Sequence, residues 1–491
     1  MVDWTGIFVP KAAIRAANTR LKDIGQAMSH PPSPEETFDV AVIGAGVVGC
    51  AIARRFTLEG AHVVVLEKAA DILDGASKGN SGILHTGFDA PPDSLELACI
   101  RSGHAEYLDI HDKLNLPLIR SGALVLAWNA EEEAILPVLM DQARRNSVTD
   151  IELLSAAEVK ALEPGLAGSV RGGFRVPGES IIDPWSAPHA YLLQALVNGA
   201  SLLRDCEVAG GSFDGTAWRL DTGRGPVTAR LVVNGAGLFG DIVEERLTGQ
   251  RSFHIRPRKG QFIVYDKPAA ALASHILLPV PGATTKGVVV CRTAFGNLLV
   301  GPTAEDQEDR LTAELTPDAL IRLKRRGEEI LPALAGHKVT AIYAGLRPAS
   351  EVKDYRIRAD AGLNYIAAGG IRSTGLSSAL GIARQVFQLA DFAPRPLADA
   401  AWPQAAVIAE AGLRDWQCPG NGGIVCHCEL VTRREIEAAF CDALAPQGFG
   451  GLKRRTRATM GRCQGFYCSA ALARLTDGRL RRPMHGTGDA G

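Results

Sequence analysis

The sequence has almost no net charge: 53 Lys and Arg stand against 54 Asp and Glu, a formal −1 over 491 residues. That removes the basic excess a general polyanion binder needs, and no nucleic-acid partner is expected. Long apolar runs are also missing. The longest uncharged apolar stretch, Val40 to Ala53, falls short of the roughly 18 residues that span a bilayer and is interrupted by Gly44, Gly46 and Gly49. The N-terminus lacks the apolar core of a signal peptide, and no internal repeat is visible. Cysteine is scarce through most of the chain, because six of the ten lie from Cys418 onward. A secreted disulfide scaffold is short and spreads its cysteines throughout, so the chain reads as one of a reducing compartment. Thiols gathered at one end point to metal or redox chemistry. At 46% hydrophobic and 22% charged, the composition excludes wholesale disorder.

The length allows two to four domains. Glycine is abundant, 53 of 491 residues. Residues 1–36 carry scattered basic side chains, offer a surface helix over 12–21, and end in Pro31-Pro32-Ser33-Pro34, so they read as an extension. From Phe38 the pattern is strand (Phe38 to Ile43), glycine turn, helix (Val47 to Leu58) and strand (His62 to Leu66), a βαβ unit. Further β-rich runs recur at Gly122 to Trp128, Leu231 to Asn234, Gln261 to Tyr265, Val288 to Cys291, Asn297 to Val300 and Leu363 to Ala367. Helical stretches at Ala130 to Arg145, Pro317 to Ile330 and Ser377 to Phe392 separate or follow them, which makes the body mixed α/β. The expected division is an extension at 1–36, a body at 37–392, a proline-marked linker at 393–421, a cysteine-rich domain at 422–480 and a tail at 481–491.

Gly44-Ala45-Gly46-Val47-Val48-Gly49 follows a strand and opens a helix, and Glu67 ends the next strand. Gly44 permits the turn, Gly46 lets backbone approach a pyrophosphate, Gly49 allows close helix packing, and Glu67 is placed to accept ribose hydroxyls. The fingerprint leaves NAD and FAD both open.

Asp39 to Gly49, Val63 to Lys68 and Ala76-Ser77-Lys78-Gly79-Asn80-Ser81-Gly82-Ile83-Leu84-His85-Thr86-Gly87 resemble the opening of the FAD-dependent D-amino-acid-oxidase-like superfamily. The likeness continues through Leu162-Glu163-Pro164, Asp183-Pro184, Val232 to Gly237, Asn297 to Thr303, Ala344-Gly345-Leu346-Arg347-Pro348 and Gly370 to Leu376, and covers about 38–390. The Gly82-to-Gly87 and Asn297-to-Asp306 segments resemble the glycerol-3-phosphate and L-2-hydroxyglutarate dehydrogenase branch, from which Ile371 to Leu376 departs in sequence. The resemblance implies a Rossmann-type FAD-binding domain interleaved with a mixed-sheet substrate domain. It further implies FAD contacts from Gly44, Gly46, Gly49, Glu67, Lys68, Ser77, Asn80, Ser81, Gly82, Val208, Gly235, Gly237, Gly345, Gly370, Thr374, Gly375 and Leu376.

Alcohol oxidation by a flavin needs a base for the hydroxyl proton and an anchor for the substrate. His85, in the segment expected beneath the flavin, suits the first task, with a loop-structural histidine as the competing reading. Arg347 suits the second, because a guanidinium grips a carboxylate or a phosphate with two parallel bonds. Lys286 and Arg292 are weaker anion candidates, and the run Arg256, Arg258, Lys259 reads as an exposed strand edge.

Cys426-His427-Cys428 and Cys463-Gln464-Gly465-Phe466-Tyr467-Cys468 supply four soft ligands, which suit an iron-sulfur cluster or tetrahedral zinc. The flanking residues resemble the bacterioferritin-associated-ferredoxin-like [2Fe-2S] domain, which implies a small α-rich module with a [2Fe-2S] cluster on Cys426, Cys428, Cys463 and Cys468. Cys418 and Cys441, the latter expected inside a helix, read as bystanders; Cys50, Cys99, Cys206 and Cys291 read as core. Lys453, Arg454, Arg455, Arg457 and Arg462 would stabilise the cluster, attract an acidic electron-transfer partner, or simply form a solvated face.

The leading expectation is a flavin dehydrogenase that oxidises a small anionic hydroxy substrate, a polyol phosphate or 2-hydroxy acid, and passes electrons through a [2Fe-2S] centre to an acceptor or partner subunit. Amine oxidation of an amino acid or opine, and an electron-transfer subunit of a larger dehydrogenase, are the competing readings. The expected location is the cytoplasm, with room for peripheral contact at the inner face of the membrane.

Overall fold

The computed structural model of the protein describes residues 36–282 and 287–482. The N-terminal extension up to residue 35, the surface helix expected within it, Lys286 and the tail from residue 483 lie outside the described residues. Short β-branched runs buried on both faces form the centre of an eight-stranded sheet, as parallel strands do when helices cover them. Its parallel core runs in the order Ser201–Leu203, Val63–Leu66, Thr37–Ile43, Val227–Asn234 and Tyr365–Gly369. Antiparallel strands Trp218–Thr222 and Arg356–Asp360 extend it.

Helices Val47–Leu58, Leu95–Ile110 and Gly375–Leu389 cover this sheet, and the last two approach unusually closely. A Cβ at Gly103 would stand 2.2 Å from the Ser377 carbonyl oxygen, and one at Gly381 would stand 2.1 Å from that of Cys99. Only glycines permit that crossing, which seats Ser377 above the segment carrying His85. The helix Ser186–Val197 is buried nearly all round and so lacks the amphipathic period by which sequence reveals helices.

A second sheet of nine strands is mostly antiparallel. Strands Ile255–Tyr265 and Val339–Ser350 pair along their whole length, with Arg258 opposite Arg347. The basic run 256–259 is therefore not an exposed edge: Glu305–Asp306 pairs with its other side, and Lys259 is buried against Glu305. A three-stranded sheet aligns Ile83–Leu84 antiparallel to Ser180–Ile182, with Leu84 opposite Ser180. That register brings Glu179 beside His85.

The C-terminal module has one hairpin, Ile424–Cys426 with Val431–Thr432, and short helices Arg433–Ala438, Phe449–Thr456 and Ser469–Thr476. Thr432 and Glu435 form a capping box that starts the first helix. Cys441 lies beyond the end of that helix, since the chain leaves it at Ala438. The module is docked firmly on the body. Buried Asp71 accepts the backbone N–H groups of Gln447 and Gly448, and Arg454 reaches Asp74. Among the described residues, no helix is long and apolar enough to cross a membrane.

Candidate functional site

A cavity of about 690 Å³ opens where the two large sheets meet. The glycine turn forms one end. Gly44 adopts φ +99°, and its N–H donates to the Leu66 carbonyl. A Cβ on Gly49 would stand 1.8 Å from the Gly44 carbonyl oxygen, so Gly49 packs behind the turn and leaves the cavity wall to Gly44 and Gly46. Helix Val47–Leu58 points its N-terminus at the cavity with no acidic residue in its first turn, which suits a pyrophosphate. The Val47 N–H donates to Ser77 Oγ at 3.0 Å. Glu67 accepts from the N–H groups of Ala45 and Ala69 and so braces the turn, and burial pushes its carboxyl up from the usual carboxylate range.

Glu67, Lys68, Val208, Gly235 and Gly237 line the same end of the cavity, where Lys68 Nζ lies 3.3 Å from the centre of the Phe239 ring. Ser77, Asn80, Ser81, Gly345 and the loop Gly370 to Leu376, including Thr374 and Gly375, complete the wall. Several of these side chains are also bonded internally. Asn80 Oδ1 accepts from the Gly82 N–H, and buried Thr374 donates to Glu96. Gly82 itself leaves the wall: at φ +76° it makes the bend that starts the strand Ile83–Leu84, and a Cβ there would stand 2.8 Å from the Ile182 carbonyl oxygen.

His85 and Arg347 line this one cavity although they lie far apart in sequence. The His85 N–H donates to Ser377 Oγ at 2.8 Å, which pins its backbone to the first turn of helix Gly375–Leu389. Its Nδ1 lies 2.8 Å from the carboxylate of Glu179, a residue with no solvent exposure. Glu179 also accepts from the N–H and the hydroxyl of Thr86, so its position is fixed from three sides. An Nδ1–H donated to Glu179 makes Nε2 the basic ring nitrogen. No residue spacing announces Glu179; the antiparallel register creates the pair.

Half-buried Arg347 donates to three backbone carbonyls, those of Arg258, Lys259 and Thr303, and among the described residues to no carboxylate. The nearest acid, Asp306, is gripped bidentately by Arg258. Burial pulls the Arg347 guanidinium down to about 10, with Arg258 adding repulsion, so the group stays cationic at neutral pH. A buried cation without a bonded carboxylate is costly, and an anion entering the cavity would complete it. Arg292 donates to the Ala273 carbonyl and is not among the cavity-lining residues.

The four candidate cluster cysteines come together across the module. All four are free thiols; that of Cys428 hydrogen-bonds with that of Cys463 and that of Cys468 with that of Cys426, and electrostatic coupling links the two pairs. Among the described residues the sulfurs are not drawn into one single-ion cage. Cys426 and Cys468 are buried, whereas Cys428 and Cys463 reach solvent. Backbone N–H groups of Tyr467, Gly465 and Phe466 aim at Cys463 and pull its thiol down, an environment made for a thiolate ligand. Cys418 and Cys441 stand apart and are partly buried, and Cys50, Cys99, Cys206 and Cys291 are core residues.

A packed bridge connects the two sites. Trp185 Nε1 donates to the Lys78 carbonyl on the cavity segment, and its ring stacks on Phe295 at 5.2 Å. The Arg457 guanidinium lies 4.0 Å over Phe295 and pairs at 3.0 Å with buried Glu429, next to Cys428. Arg457, named in sequence only as one of several basic residues, is thus internal.

Residues 39–389 match the family model for FAD dependent oxidoreductases, and residues 424–477 match that for the BFD-like [2Fe-2S] binding domain. A glycerol 3-phosphate dehydrogenase of Caloramator mitchellensis is 32% identical over 449 residues, covering 88% of this chain and 92% of that protein. One subunit of the anaerobic glycerol-3-phosphate dehydrogenase of Escherichia coli K12 is 25% identical over 495 residues, covering 90% of this chain and 88% of that one. Among solved structures, the dithionite-reduced L-alpha-glycerophosphate oxidase of Mycoplasma pneumoniae with FAD bound superposes with a TM-score of 0.70 at 28% identity, covering 75% of this chain and 98% of that one.

Proposed function

This chain belongs to the FAD dependent oxidoreductase family, and from that premise we propose that it oxidises the secondary alcohol of a small polyol phosphate of the glycerol 3-phosphate type. The electrons then leave through its C-terminal [2Fe-2S] cluster. The observation that carries this reading is the single cavity where an imidazole backed by a buried carboxylate and an Arg347 fork without a carboxylate partner both lie. Relatives named as glycerol 3-phosphate dehydrogenases, and others named as L-2-hydroxyglutarate dehydrogenases, favour a CH–OH bond over the amine alternative.

The glycine turn, the helix N-terminus and Glu67 would hold the FAD, and Cys426, Cys428, Cys463 and Cys468 would ligate the cluster. Bound FAD supplies a hydride acceptor for the carbinol carbon. Arg347 binds the phosphate and fixes where the alcohol lies. His85 accepts the hydroxyl proton at Nε2, and Glu179 stabilises the imidazolium that forms. The proposed setting is the cytoplasm, in contact with an acceptor or partner subunit.

A panel of polyol phosphates, 2-hydroxy acids and amino acids, scored by anaerobic bleaching of the flavin, tests the proposal. Glycerol 3-phosphate is expected to bleach it. Bleaching by an amino acid with release of ammonia, and none by any alcohol, would discard the reading.

Glu179→Gln probes the support of His85. Because Thr86 donates to Oε1, a glutamine there must keep its carbonyl toward Thr86 and turn its NH2 toward Nδ1. The imidazole then carries its proton on Nε2 and cannot act as a base. Flavin reduction should slow by roughly 10²-fold or more, the scale of a base lost to the wrong tautomer, while substrate affinity stays near wild type. Cys463→Ser should remove iron and acid-labile sulfide and leave the yellow flavin in place, as metal analysis and absorption spectra would show. Stoichiometric zinc in the wild-type protein would refute the cluster assignment.

A further inference from the structure

The loop between two of the candidate cluster cysteines carries the most exposed large hydrophobic side chain among the described residues and a second that is matched only by Leu311. Phe466 is 82% and Tyr467 76% exposed, and the rings stand edge to face at 5.2 Å. They are neighbours of Cys463 and Cys468, on the side where Cys428 and Cys463 reach solvent. Two large aromatics held in water beside a redox centre call for an occupant.

The loop and the helix after it contribute no negative charge. From Cys463 to Thr476 the chain has no Asp or Glu. Arg462 precedes the loop and pairs at 2.9 Å with Asp266 of the body, whereas Arg474, four residues after exposed Ala470 on helix Ser469–Thr476, is exposed and has no ion-pair partner among the described residues. The module's acids Glu429, Glu435, Glu437 and Asp442 are each held by an arginine, which leaves Asp477. Of the basic residues near the cluster, Arg454, Arg455, Arg457 and Arg462 are held in ion pairs, so the unpaired positive charge that follows the loop is Arg474.

We propose that Phe466 and Tyr467, with unpaired Arg474 on the helix that follows them, are the docking surface for an acidic one-electron acceptor protein, and that electrons leave the cluster there. The inference rests on the reading that the cluster passes electrons on. Each transfer moves one electron: the reduced cluster is oxidised as one acceptor centre is reduced. One alcohol oxidation, which releases two electrons and two protons, therefore needs two transfers. Size favours a protein over a membrane. Two rings bury roughly 300–500 Å², which fits the small interfaces of transient redox encounters and lacks the amphipathic helix a stable membrane contact uses.

The test uses the full holoprotein reduced with dithionite, so its outcome does not depend on the substrate. It is mixed with oxidised cytochrome b5, an acidic acceptor; basic cytochrome c serves as the charge control and a small neutral quinone as an acceptor that needs no docking. Cytochrome b5 should be reduced faster than cytochrome c, and its rate should fall as salt rises. Phe466→Ser/Tyr467→Ser and, separately, Arg474→Glu should each slow it about tenfold or more, with iron content and quinone rate unchanged. Should the double variant lose iron, Arg474→Glu and the salt series decide alone. Equal, salt-independent rates with both cytochromes, or wild-type rates in the variants, would overturn the proposal. Binding of the protein to phosphatidylglycerol vesicles that the double substitution abolishes would overturn it in favour of a membrane contact.

Discussion

Arg347→Lys is expected to keep both FAD and the cluster while its dissociation constant for the polyol phosphate rises by about 10²-fold. Three backbone carbonyls fix the guanidinium plane in wild type, through Nε and one terminal nitrogen. That leaves Nη1, with its two N–H bonds, oriented before substrate arrives, so little rotamer entropy is lost on binding. A lysine keeps the charge but presents a point donor, and it leaves the carbonyls of Arg258, Lys259 and Thr303 short of partners. Truncating one partner of a desolvated charge pair costs about 2–5 kcal/mol, and retention of the charge places the loss toward the lower end. Equilibrium binding followed by flavin absorbance measures it. The sign of the pH effect is fixed too. With its free guanidinium pulled down to about 10, wild type should hold the anion at neutral pH and lose affinity as pH climbs towards that value. An unchanged dissociation constant in the lysine variant would remove Arg347 from the anchoring role.

His85→Asn should slow anaerobic flavin reduction by roughly 10²-fold or more, the scale of a lost general base, with substrate binding altered only modestly. The proton leaves the hydroxyl as the hydride leaves carbon, so the base interaction strengthens in the transition state and contributes little to the ground state. Glu179 is buried and pre-placed 2.8 Å from Nδ1, so the positive imidazole is stabilised without reorganisation when it forms. In wild type the reduction rate should fall as acid protonates the ring, and that limb should vanish in the asparagine variant. Stopped-flow reduction across pH separates the outcomes. A normal rate with the same acid limb would make His85 a loop residue.

His85 and Arg347 were visible as residue types in segments with a family likeness, and each lines the cavity. The glycine turn was legible because its chemistry is local: a positive φ at Gly44 and a missing side chain at Gly49 leave a mark at fixed spacing. Helices Val47–Leu58, Ala130–Arg145 and Pro317–Ile330 were legible to their ends, since apolar spacing and caps are written within a few residues. Helix Ser186–Val197, buried nearly all round, offered no such period.

The sequence by itself determined the dinucleotide turn, the four candidate cluster thiols and the mixed α/β class, because each is carried by residue identity and near-neighbour spacing, while family likeness marked the two groups proposed for catalysis. Tertiary structure alone decided what those groups meet. Glu179 reaches His85 across 94 residues through the register of two short antiparallel strands. Arg258 faces Arg347 and takes Asp306 for itself, which turns an expected exposed edge into a cavity wall and leaves Arg347 without a bonded carboxylate. Arg457 turns inward onto Phe295 and Glu429, whereas Arg474 turns outward beside two uncovered rings. Burial and pairing depend on which distant strands and helices come together, and no local spacing along the chain encodes that.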